Sequence, residues 1–176
     1  VAALGFRGIY VDANAVAPAT SRAIGEVVEA AGARFVDGGI IGPANRKPGA
    51  ARIYLSGPAA AEVAPLFASG PIDAHVLTGP PGAASALKMS YGGITKGLTA
   101  VGSAMILAAT RAGVAEALHA ELSASQPNLM TYFTRSVPDM FGKAYRWVPE
   151  MQEIAHFSGD PATDEMYQAI AALYEK

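Results

Sequence analysis

Over the first eighty positions, apolar residues fall into short β-branched and aromatic runs, interrupted twice by helical stretches. The first run, residues 8–13 (GIYVDA), ends beside Asp12, as strands of parallel sheets often do. Between 18 and 31 the period changes. Ile24, Val27 and Val28 form one apolar stripe, Pro18 sits in the first turn, and Thr20 and Ser21 are candidate caps. Gly32 closes that helix. Residues 34–41 (RFVDGGII), 52–56 (RIYLS) and 74–77 read as further strands. A short helix is expected over 58–67, which Pro65 must kink or end.

Beyond Pro81 the strand signals stop. One helical repeat runs from 81 to 112, long for a globular helix and usual for one shared with a partner. Gly92, Gly93, Gly97 and Gly102 interrupt it, each costing about 1 kcal/mol relative to alanine. Close approach of a backbone or ligand must offset that cost. Further helices are expected over 114–123, 128–141, 145–156 and 162–175. Gln126-Pro127, Val137-Pro138 and Ser158-Gly159-Asp160-Pro161 supply the breaks, with Asp160 capping the last helix. A βαβ remnant followed by an all-α half, divided near Pro81, is the expected organisation.

Composition narrows the function classes. At 51% hydrophobic and 16% charged residues, the 176-residue chain can bury a sizeable core. A net charge of −2 and the lack of a basic stripe argue against nucleic acid. Cysteine is absent, which removes disulfides, thiolate catalysis and cysteine metal sites, and fits a cytoplasm. His75, His119 and His156 are too far apart to read as a metal motif, and each is read as a surface or satisfied histidine. No G-x-S-x-G elbow occurs, so a serine hydrolase is not supported. The uncharged stretch from 97 to 110 falls short of the ~20 residues a membrane span needs, so no membrane is expected. The chain opens on Val1 without a signal pattern, and its N-terminus reads as a cut.

The order strand–DANAVAP–helix–GARFVDGGIIGP–strand–GPPGAASALK–long helix resembles the β-hydroxyacid dehydrogenases, the 3-hydroxyisobutyrate and 6-phosphogluconate dehydrogenase family. RWVPEMQEIA, residues 146–155, resembles a phosphogluconate-dehydrogenase-like subgroup whose C-terminal helical domain is uncharacterised. The match covers the family's latter two-thirds. The resemblance implies that 1–80 is the C-terminal part of a Rossmann-like nucleotide-binding domain and 81–176 a helical substrate and dimerisation domain. It implies an NAD(P)-dependent oxidoreductase, a small-molecule substrate and a homodimer. The G-x-G-x-x-G fingerprint that seats a pyrophosphate is not in this sequence, so NADP or NAD is implied for the intact protein rather than for this stretch alone.

The family pattern G-x-x-G-x-G/A-x-x-x-K is filled by Gly79, Gly82, Ala84 and Lys88. Lys88 thereby inherits the general acid/base role toward the substrate, and Gly82 a place beside the cofactor. A free lysine has a pKa of about 10.4, so acting near neutrality requires partial desolvation. The plainer alternative is a solvated lysine in the first turns of a helix. One turn on, where relatives carry asparagine, stands Gly92. Tyr91 at i+3 is the substitute donor, or simply a packing residue.

Relatives grip a carboxylate with D-x-P-x-S-G-G. Here the run is Asp37 to Pro43, with Ile41 in place of the serine and Pro43, which has no N–H, in place of a glycine. Ile41, Gly42 and Asn45 are the substrate-binding candidates, with Arg46 and Lys47 beyond them as anion binders or a solvated turn. Asn14, in the loop matching the family's D-x-S-T-x-x-P, can donate and accept toward nicotinamide or substrate, and can also cap the next helix. Tyr145, Arg146, Trp147 and Glu150 are candidate pocket neighbours. Reduction of an imine or ketone on the same scaffold, and a non-catalytic helical dimerisation module, are the rival functions.

Overall fold

The computed structural model describes residues 2–43 and 49–175. Asn45, Arg46 and Lys47 lie outside the described residues. The chain forms two compact units, one of residues 1–91 with 156–159, the other of residues 92–155 with 160–176.

The first unit holds a four-stranded sheet in the order β1 (Ile9–Asp12), β2 (Arg34–Ile41), β3 (Ala51–Ser56), β4 (Ile72–Val76). β1 with β2 and β3 with β4 are parallel; β2 and β3 are antiparallel, pairing Asp37 with Ser56 and Gly39 with Tyr54. The parallel character expected at the sequence level thus holds for two of the three pairings. Residues 42–50 are too few for a parallel crossover, which takes about a dozen or more, so β3 returns beside β2 in the opposite sense. Gly42 makes the turn possible: its φ is +112°, and a Cβ there would run into the Ala50 carbonyl.

Side chains alternate across β2 with the period of a strand. Val36 joins Ile53 and Leu55 on one face, packed under Ala59, Ala60 and Val63. Phe35 points the other way, onto Val28 and Ala33. Helix α1 (Pro18–Ala30) lies on that second face, with Gly25 allowing the Phe35 ring to approach. Neither Thr20 nor Ser21 caps it; the capping position is Ala17, which offers no side-chain bond. Pro65 acts as expected: α2 (Ala60–Val63) gives way to a tight turn at Ala64–Phe67.

Helix α3 (Ala83–Arg111) passes from the first unit into the second. The second unit also contains α4 (Ala115–Ser125), α5 (Pro127–Met140), most of α6 (Val148–Ser158) and α7 (Pro161–Tyr174). The α3 glycines face inward. Gly93 lies against the Tyr167 hydroxyl, Gly97 against Tyr167 and Ile170, and Gly102 against Phe133. The cost of those glycines is therefore offset by close aromatic packing inside the unit, not across a subunit boundary. Two tyrosines also bond the helix from outside. Tyr174 Oη donates to the Lys96 carbonyl at 2.6 Å, and Tyr132 Oη to that of Thr95 at 2.5 Å. Burial, with a smaller contribution from Tyr132, pushes the Tyr174 hydroxyl well above the ordinary tyrosine range, so it remains a donor.

The opposite side of α3 is bare. Ile94, Leu98, Val101 and Met105 are 70%, 37%, 55% and 56% exposed. By length and composition alone α3 suits a membrane span. Its glycine face packs on α5 and α7, and Lys96 pairs with Glu150, so one side of α3 is a packing face within the second unit. Two details depart from expectation. Pro138 falls inside α5 near its end rather than breaking it, and a tight turn at Ala144–Arg146 precedes α6, which starts only at Val148. Asp160 caps α7 as expected, accepting from the Thr163 N–H at 2.8 Å. A bond from the Thr163 hydroxyl at 2.7 Å, and after it the one from the Thr163 N–H, hold its carboxyl below the ordinary range.

Candidate functional site

Lys88 sits in the second turn of α3, and a glycine puts it there. A Cβ at Gly39 would stand 2.7 Å from the Ala84 carbonyl oxygen and 3.2 Å from Lys88 Cβ. Only a bare backbone at position 39 lets α3 rest directly on β2. The Lys88 stem crosses that contact, half-buried, and its Nζ donates to the Asn14 carbonyl oxygen at 3.3 Å. The amine is held at the sheet by this solvent-exposed bond, while the residue as a whole is partly buried.

Asn14 lies in the turn after β1, exposed. Its backbone N–H and its Nδ2 both donate to Asp12 Oδ1, at 3.4 and 2.5 Å. Asp12 is 4% exposed. The side chain of Asn14 thus braces its own turn and does not cap α1, correcting that alternative; its Oδ1 stays an acceptor.

The densest polar site surrounds Asp37, the register partner of Asp12 on β2. Asp37 is 1% exposed. Its Oδ1 accepts from Ser21 Oγ at 2.8 Å and Ser85 Oγ at 2.6 Å. Its Oδ2 accepts from Ser56 Oγ at 3.0 Å and from the N–H groups of Gly82 and Ser85 at 3.0 and 2.9 Å. Ser56 Oγ in turn accepts from the Ala84 N–H at 3.1 Å. A buried carboxylate is tolerated only when so bonded. Here it caps the start of α3 from a distant strand, and ties α1, β2 and β3 to it. Asp37 and its three serines were not among the sequence-level site residues. An aspartate within an apolar strand run, RFVDGGII, was the available signal.

The remaining candidates divide. Tyr91, one turn beyond Lys88, is 51% exposed. Ile41 is nearly buried at 9%, so its contribution to a ligand is an apolar edge, and Gly42 is set by its turn. Gly82 lines a groove of about 610 Å³ with Ala17 to Thr20, Arg22, Pro80, Pro81, His156 and Phe157. Its amide is already committed to Asp37.

In the second unit, Gly92 opens space for a different group. A Cβ there would stand 3.0 Å from Glu150 Oε1, so the position where relatives carry asparagine gives its room to the Lys96–Glu150 ion pair. Lys96 and Lys143 both lie over the Trp147 ring, at 5.6 and 5.7 Å, and Trp147 meets Tyr174 edge-on. Tyr145, by contrast, is 71% exposed.

Residues 109–176 match a domain of unknown function, DUF1932. Over 99% of this chain and 67% of the other, the structure is similar to the conserved protein MTH1747, at 29% identity and a TM-score of 0.79. That protein's structure was described as similar to 3-hydroxyacid dehydrogenases. The 3-hydroxyisobutyrate dehydrogenase of Salmonella typhimurium shares the fold at 15% identity and a TM-score of 0.68, over 93% of this chain and 63% of that one. An imine reductase variant from Myxococcus stipitatus, in complex with NAD+, shares it at 19% and 0.53, over 95% and 65%. No curated protein sequence matches. The chain thus spans about two-thirds of the length of these structures. The resemblance to the hydroxyacid dehydrogenases, and the expected fold of α/β remnant plus helical domain, are borne out.

Proposed function

From a chain with the 3-hydroxyacid-dehydrogenase-like fold, we propose that the intact protein is an NAD(P)-dependent oxidoreductase acting on a hydroxyacid-like or related carbonyl or alcohol substrate. Lys88 is its general acid/base. The observation that carries this reading is the partly buried Lys88, its Cβ packed over Gly39 and its amine donating at 3.3 Å to the Asn14 carbonyl oxygen. In that place it can take a proton from a substrate hydroxyl, or return one to a carbonyl oxygen, without the side chain searching for its position. Tyr91, on the same side of α3, is the candidate second donor.

The nicotinamide would supply the hydride acceptor or donor. The groove at Gly82 is a fit for one end of such a group. A Cβ at position 82 would come within 3.0 Å of Arg22 Nη1 and 3.2 Å of the Pro18 carbonyl, so glycine keeps that wall open. Asn14 Oδ1 is the further contact proposed for it. The dinucleotide fingerprint whose neighbouring residue selects NAD or NADP is not in this sequence, so both cofactors remain in the proposal.

An imine or ketone substrate is the second reading, favoured by the end of β2 and the turn that follows it. Ile41 offers an apolar edge where relatives have serine, and Pro43 lacks an N–H. The intact protein should therefore be assayed against 3-hydroxyacids and cyclic imines with both nicotinamide cofactors. Turnover of hydroxyacids alone removes the imine reading, and turnover of neither class sinks the oxidoreductase proposal.

The helical domain is proposed to pair two copies, in the cytoplasm, with no nucleic-acid or membrane partner. Support comes from Ile94, Leu98, Val101 and Met105, exposed at the 4-3-4 spacing of a helix seam. A V101E/M105E double variant should sediment as a monomer where the parent sediments as a dimer. A monomeric parent would end this part of the proposal.

A further inference from the structure

We infer that Asp37 is a positioning residue for the Lys88 amine; the inference rests on the proton-transfer role proposed for Lys88. A helix start ordinarily needs one capping acceptor. Asp37 instead takes five hydrogen bonds from four residues, two of them from Ser85, which lies three residues before Lys88. Its partner across the sheet, Asp12, fixes the turn whose Asn14 carbonyl receives the amine. Two buried carboxylates in register on adjacent strands, Asp12 at the end of β1 and Asp37 in the middle of β2, therefore brace Lys88 from both sides. Asp37 sets where the helix places the stem, and Asp12 sets where the head is received. Loosening the Asp37 brace lets the first turns of α3 slide on the Gly39 contact, which has no side chain to stop them.

The test uses the full-length protein and two readouts: the rate of reductive methylation of Lys88, followed by mass spectrometry with Lys143 as internal reference, and steady-state kinetics. Ser85→Ala removes one donor to Asp37 and leaves the helix backbone intact. We expect its Lys88 methylation rate to change by about threefold or more, and kcat to fall about tenfold with the KM for the nicotinamide cofactor within about twofold. Ser85→Thr, which keeps the hydroxyl, should restore most of both. Asp37→Asn presents an amide to the donors and should lower kcat by about a hundredfold in whatever fraction folds. Unchanged Lys88 methylation in Ser85→Ala overturns the inference, as does a loss of kcat that only follows the folded fraction. Altered methylation with undiminished kcat supports the brace and removes instead the catalytic role of Lys88, so the two failures are distinguishable.

Discussion

Lys88→Met in the intact protein should lower kcat by about 10²- to 10⁴-fold, the range that one well-placed proton-transfer group supplies. Methionine keeps the unbranched stem, so the contact over Gly39 survives while the amine and its bond to Asn14 are lost. Cofactor affinity should change little, because the groove at Gly82 is lined by other residues. The fall should appear in kcat and kcat/KM together, as for an interaction made in the transition state. Undiminished turnover, with the variant folded, would leave the non-catalytic dimerisation module as the surviving account.

Gly39→Ala is the most demanding substitution in the sheet. The new Cβ would sit 2.7 Å from a backbone carbonyl oxygen that no rotamer change can move. Either α3 lifts from β2 or β2 bows, at about 1–3 kcal/mol, the usual cost of overpacking. We expect a melting temperature lower by about 3–10 °C, on the scale that relates stability to melting for a chain of this size. Turnover should fall further than stability does, since the displaced segment carries Lys88. A melting temperature unchanged within a degree would show that the contact is looser than described.

Much of the architecture was legible from periodicity and breakers. β2 was delimited by its apolar run between two polar stretches, and α7 by Asp160-Pro161 at its start. Local signals were poorer at relating elements to one another. The antiparallel return of β3 depends on loop length, and the inward face of α3 depends on rings contributed by α5 and α7, which no single helix reveals. The glycines of α3 were legible as sites of close approach, but not what approaches them. In the candidate site, Lys88 stood out through the run around it and the resemblance it carries. The acceptor of its amine is a backbone carbonyl, which has no letter of its own in a sequence. Asp37 was hidden for a related reason. Its partners, Ser21, Ser56, Gly82 and Ser85, are distant along the chain and individually commonplace.

The amides of Gly82 and Ser85 are spent on the protein's own carboxylate, and that of Ala84 on Ser56. The positive pole of α3, which in many nucleotide enzymes welcomes a phosphoryl oxygen, is neutralised from within. A phosphoryl oxygen arriving at the start of α3 would find these three amides already bonded, so the helix start itself offers it no ring of free donors.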